Sequence, residues 1–133
     1  YLPTLPVLKT QDKMNSTCKN EEYMLLKEKS EYYYHGRVRL NTARECYYTS
    51  LWIKEHGKLF NAPLFLIHGL DDTITNPDLS IDFFNNVPNK NKKIYLPKNT
   101  HHSLTLKISN DDHHPKLVWI KILKWISLTL KPL

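Results

Sequence analysis

At 133 residues and a net charge of +6, the chain can bury one modest core and no more. Its basic residues are spread over both halves, without a basic arm or a one-sided stripe, which argues against nucleic acid as a partner. No apolar run reaches the ~18 residues needed to cross a bilayer. The two cysteines, Cys18 and Cys46, form no CxxC and no disulfide framework, so a reducing, cytoplasmic setting is favoured.

Residues 1–20 are rich in Pro, Thr, Asn and Lys, show no sustained period and read as a loop. Within them Asn15-Ser16-Thr17 matches a glycosylation sequon, a signal of little weight without a leader before it. Glu21 to about Tyr33 reads as a short helix with Tyr23, Leu25 and Leu26 on an irregular apolar side. Thr42-Ala43-Arg44-Glu45 has the spacing of a capping box, in which a hydroxyl and a carboxylate each satisfy an orphan backbone N–H. Ala43, Cys46, Tyr47, Ser50 and Leu51 then recur on one face of a helix expected to end near Gly57.

Leu64 to His68, bounded by Pro63 and Gly69, reads as a buried parallel strand. Asn76 and Pro77 are a plausible N-cap and first position of a helix whose core face is Ser80, Phe83, Phe84 and Val87, stopped by Pro88. Asn89-Lys90-Asn91-Lys92-Lys93 reads as a solvated turn, and Lys93 to Leu96 as a second strand. Pro115 opens a last helix with Val118, Trp119, Ile122, Leu123 and Ile126 buried and Lys121 and Lys124 outward. Strand, helix, strand, helix predicts two parallel strands joined by a right-handed crossover.

The chemistry-bearing residues follow the strands. Pro63 to Asp72 is an apolar run that stops at an acid pair, and Tyr95 to Leu104 ends at a histidine pair. A strand delivering a carboxylate and another delivering an imidazole make two-thirds of a Ser-His-Asp site. The nucleophile is the missing third. The chain has three glycines, Gly36, Gly57 and Gly69, and none of its serines stands in a G-x-S-x-G elbow. Ser80 falls on a helix and Ser103 beside the histidine pair.

His68-Gly69-Leu70-Asp71-Asp72-Thr73-Ile74, His102-Ser103-Leu104 and Trp125-Ile126 resemble the C-terminal half of the α/β-hydrolase fold. The resemblance is to the monoacylglycerol lipase, lysophospholipase and serine-aminopeptidase-like branch, and it runs over about residues 32–130. Tyr34-His35-Gly36 with Thr42-Ala43 is similar to the segment leading from that family's cap into its core, although the Asp-Pro-Leu that often precedes it is absent. The resemblance implies a partial α/β-hydrolase fold, with residues 1–40 a cap or lid remnant and 41–133 the C-terminal part of the core. It implies Asp72 as the triad acid, Asp71 lying one position early, and His102 as the base, His101 facing solvent. It implies an acyl-ester substrate, a monoacylglycerol or lysophospholipid, with no cofactor and no metal.

A whole α/β-hydrolase is about twice this length, and the chain starts at Tyr1 rather than Met. The expectation is therefore a C-terminal fragment of a serine hydrolase, inactive alone. The alternative is a non-catalytic remnant that pairs with a partner at an exposed sheet edge. A metal reading of His101, His102, His113 and His114 with Asp111 and Asp112 is weaker, because adjacent pairs do not put two ligands on one helical face. Trp119 and Trp125 favour core packing over a peripheral membrane contact.

Overall fold

The computed structural model describes residues 6–8, 21–34, 36–107 and 112–129, the first three and Glu21 by backbone alone. Strand β1 (Pro6–Leu8) is followed by helix α1 (Glu21–Glu28), strand β2 (Val38–Arg39), helix α2 (Leu40–His56) with a 3₁₀ turn at Gly57–Leu59, strand β3 (Leu64–Ile67), helix α3 (Pro77–Asn86), strand β4 (Lys92–Tyr95) and helix α4 (His114–Thr129). The sequon at Asn15-Ser16-Thr17, Cys18, His35 and Asp111 lie outside the described residues.

The loop expected over residues 1–20 gives way at Pro6–Leu8 to a strand paired antiparallel with β2, Pro6 opposite Arg39 and Leu8 opposite Val38. That pairing also displaces the start of α2. Arg39, held extended at φ −75° and ψ 146°, is the N-cap and contributes no side-chain bond. Thr42 is therefore already inside the first turn, and the Glu45 carboxylate pairs with Arg44 at 2.7 Å instead of reaching back. The capping box does not form. The other helix starts as expected: Asn76 Oδ1 accepts the Asp78 N–H at 2.8 Å, Pro77 follows, and Asp78 sits where the helix dipole favours an acid.

β3 and β4 are parallel, with Leu64 opposite Lys92 and Ile67 opposite Tyr95. β4 thus begins and ends one residue before the expected span. Contacts divide the two faces of this small sheet. On one side Phe65 meets Trp125 of α4 (5.7 Å between rings) and Tyr95 lies 4.3 Å under the Lys121 ammonium. On the other, Leu66 shares a cavity with α2 and α3, and Lys92 reaches α3. Gly57 lets the end of α2 close on α3, because a Cβ there would sit 3.1 Å from the Phe83 ring.

Three expectations fail in this packing. Lys92 belongs to no solvated turn: its ammonium donates to the carbonyls of Phe84 (2.7 Å) and Val87 (2.6 Å), satisfying the orphan acceptors at the end of α3. The strand expected to be buried is half-buried throughout. The α4 stripe is also rotated. Val118 is 2% exposed and Ile122 and Trp125 half-buried, but Trp119, Leu123 and Ile126 face solvent. Lys121 swings inward over Tyr95, so the sheet takes the Val118–Lys121–Ile122–Trp125 side. Likewise α2 buries none of its residues, and Cys46, Tyr47 and Leu51 are exposed. No described helix is long and apolar enough to cross a membrane.

Candidate functional site: a carboxylate between two imidazoles

The site forms where the loops after β3 and β4 leave the same edge of the sheet. Backbone bonds continue the strand pairing outward: His68 N–H to the Tyr95 carbonyl (3.2 Å), Leu70 to Pro97 (3.0 Å) and Asp71 to Thr100 (3.1 Å). Two local features permit so close an approach. Asn99 adopts φ 55°, a left-handed conformation its short polar side chain tolerates, and the turn buries Thr100, whose hydroxyl donates to Pro97 at 2.6 Å. Gly69 faces that turn, where a Cβ would lie 2.5 Å from the Thr100 carbonyl oxygen and 2.8 Å from that of His101. Only a residue without a side chain fits there.

The zipped loops bring Asp72 and His102 together, with Asp72 Oδ2 2.9 Å from His102 Nδ1. The carboxylate side chain is 3% exposed and the imidazole 41%. Asp72 Oδ1 accepts the Ile74 and Thr75 N–H groups at 2.8 and 3.1 Å, and Oδ2 accepts the Thr75 hydroxyl at 2.7 Å. Burial pushes this carboxyl up. The bonds from the Thr75 hydroxyl, His102 and the two backbone N–H groups outweigh it and hold the group well below the usual carboxylate range. It therefore stays ionised and acts as acceptor only. Facing an acceptor, His102 carries its proton on Nδ1 and leaves Nε2 free to accept another.

Of the two acids, Asp71 is exposed and offers His101 only its backbone carbonyl, 3.1 Å from His101 Nδ1. The expectation that His101 faces solvent is overturned: it is half-buried against that carbonyl, and His102 is the exposed member of the pair. His113 is exposed, while His114 opens α4 beside Asp112, with Nδ1 3.0 Å from the carboxylate. The same carboxylate accepts the His114 N–H at 3.0 Å and so caps the start of the helix. Among the described residues no group of three or more His, Cys, Asp or Glu side chains is arranged to hold a metal ion.

Two participants escape the sequence reading. Thr75 supplies two of the donors to Asp72, and nothing in the sequence but its place three residues after an acid signals this. His68 sits on the opposite side of the carboxylate, Nε2 to Asp72 Oδ2 3.1 Å, with its Nδ1 2.7 Å from Ser80 Oγ. The apolar strand ending at a histidine was its signal.

A parallel β–α–β unit with a carboxylate and an imidazole in contact at one rim is an architecture of α/β-type hydrolases. The family model described as serine aminopeptidase, S33, matches residues 1–107, and the chain belongs to that family. No curated protein matches the chain.

Proposed function

We propose that the chain carries the acid and the general base of a serine hydrolase acting on acyl esters, a monoacylglycerol or a lysophospholipid. Asp72 orients His102 and stabilises its imidazolium; His102 Nε2 takes the proton of a serine as it attacks the ester carbonyl, then returns it to the leaving alcohol. The observation that carries the reading is the 2.9 Å bond from His102 Nδ1 to a buried, ionised carboxylate, the other ring nitrogen having no partner among the described residues. The ester preference rests on the sequence resemblance alone. Residues 1–40 are read as a cap remnant and 41–133 as the C-terminal part of the core.

Ser80 is spent on His68, and no serine of the chain stands in a G-x-S-x-G elbow. The nucleophile and oxyanion hole are therefore assigned to a segment outside these residues. The purified chain is expected to hydrolyse p-nitrophenyl butyrate and monoacylglycerol no faster than buffer. Combined with an upstream-encoded segment bearing G-x-S-x-G, it should gain hydrolysis that His102→Ala lowers by about 10⁶-fold. Turnover by the chain alone that is lost in His102→Ala would overturn the missing-nucleophile assignment. Combined activity indifferent to His102→Ala would overturn the role of the base.

A second reading, a non-catalytic remnant that pairs with a partner, draws on Tyr47 and Trp52 of α2 and Trp119 and Leu123 of α4, all exposed. It predicts binding that survives Asp72→Asn and His102→Ala unchanged.

A further inference from the structure

The imidazole on the far side of the acid has no part in the scheme above. We propose that His68, oriented by Ser80, is a positioning residue that fixes the Asp72 carboxylate for His102. The proposal rests on the acid–base reading of that pair.

Apart from the two histidines, every donor to Asp72 comes from its own loop: the Ile74 and Thr75 N–H groups and the Thr75 hydroxyl. Such donors move with the loop and cannot hold it against the sheet. His68 follows β3 directly, and its side chain is 13% exposed. Its Nε2 lies 3.1 Å from Asp72 Oδ2 and 3.2 Å from the Thr75 carbonyl oxygen. Both partners are acceptors, so the proton sits on Nε2 and is shared between the carboxylate and the loop backbone. Nδ1 is then an acceptor, and the Ser80 hydroxyl of α3 donates to it at 2.7 Å. The carboxylate is thereby tied through one ring to the strand and to the crossover helix.

The two histidines use the same carboxylate in complementary tautomers. His102 presents Nδ1–H and keeps Nε2 free; His68 presents Nε2–H and has its other nitrogen occupied. That difference assigns proton transfer to His102 and positioning to His68.

Side-chain ¹⁵N–¹H spectra of the histidines in the 133-residue chain test this, because they read the tautomers directly and need no activity. The unaltered chain should show His68 as Nε2–H and His102 as Nδ1–H. In His68→Leu the population of His102 in the Nδ1–H form should fall, relative to the other tautomer, by at least about twofold, the low end of what one hydrogen bond is worth. His68→Gln, which can offer an amide N–H at similar reach, should restore most of it. Ser80→Ala, a milder change, should leave His68 as Nε2–H, held by its two acceptors, but should loosen the ring and weaken the His102 Nδ1–H signal in the same direction. A His102 spectrum unmoved by His68→Leu, or no better in His68→Gln, overturns the positioning role. A His102 signal unmoved by Ser80→Ala overturns the part given to Ser80. If Asp72→Asn too leaves His102 unmoved, the acid–base pairing itself is overturned; if it moves His102 while His68→Leu does not, only the proposal about His68 fails.

Discussion

The rim of the parallel sheet and the outer faces of α2 and α4 are built on opposite principles. At the rim, polar groups of two loops satisfy one another almost completely, and Asp72 alone accepts five bonds. On the helices, large apolar side chains such as Trp52, Trp119 and Leu123 lie open to solvent. The rim is specified locally, its bonded residues lying within about forty positions of one another along the chain. The helices carry an apolar surface that their own neighbours do not use. Function-bearing geometry and bulk burial are thus separable in this molecule.

The strongest way to break the rim is to push its loops apart. Gly69→Val places a side chain against two backbone carbonyls that have no rotamer to yield. It should destabilise the fold by about 3 kcal/mol in urea unfolding and remove the His102 Nδ1–H signal. A variant as stable as its parent, with that signal intact, would show that the two loops are not in the contact described.

The next test sharpens the other half of the comparison. Val118→Ala empties a buried position facing the sheet and should cost about 2 kcal/mol. Leu123→Ala, five residues along the same helix but 62% exposed, should stay within about 0.5 kcal/mol. Equal costs at the two positions would mean that the outer face of α4 is covered in solution, and the contrast drawn here would disappear.

Acid tests the electrostatics of the rim. The Asp72 carboxyl is held below its unfolded value of about 3.9, so its stabilising contribution is complete above about pH 4 and drains away as pH falls further. The unaltered chain should lose stability below pH 4 more steeply than Asp72→Asn, by up to about 1.4 kcal/mol per pH unit, the slope of one proton. Parallel curves for the two proteins would remove the buried, ionised acid on which the site depends.

What the sequence made legible follows the same division. The run Leu64 to His68, the cap at Asn76 and Pro77, and the meeting of an acid pair with a histidine pair depend on short-range signals, apolar runs, turn formers and an abrupt change to polar residues, while the choice of Asp72 and His102 within those pairs came from the family resemblance. Each has its counterpart in the structure. Misread features depend on what packs from a distance. Periodicity placed Trp119, Leu123 and Ile126 in a core, but the small sheet touches a neighbouring stripe of α4. Lys92 read as part of a solvated run because charge alone does not reveal that a strand begins there or that the end of α3 needs donors. Thr75 and Ser80 were illegible as partners because a hydroxyl's donor role is set by what the fold brings beside it.

The two helix starts reduce that lesson to its smallest measurable case. Both present an accepted capping signature, yet β1 holds β2 extended through Arg39 and starts α2 at Leu40, upstream of the threonine. At α3 nothing competes, and Asn76 caps as its type dictates. Asn76→Ala should therefore cost about 1 kcal/mol, and Thr42→Ala no more than about 0.3 kcal/mol, in the same urea assay. If Thr42→Ala costs as much as Asn76→Ala, the helix begins where its sequence signature places it, and the β1–β2 pairing does not set the start of α2.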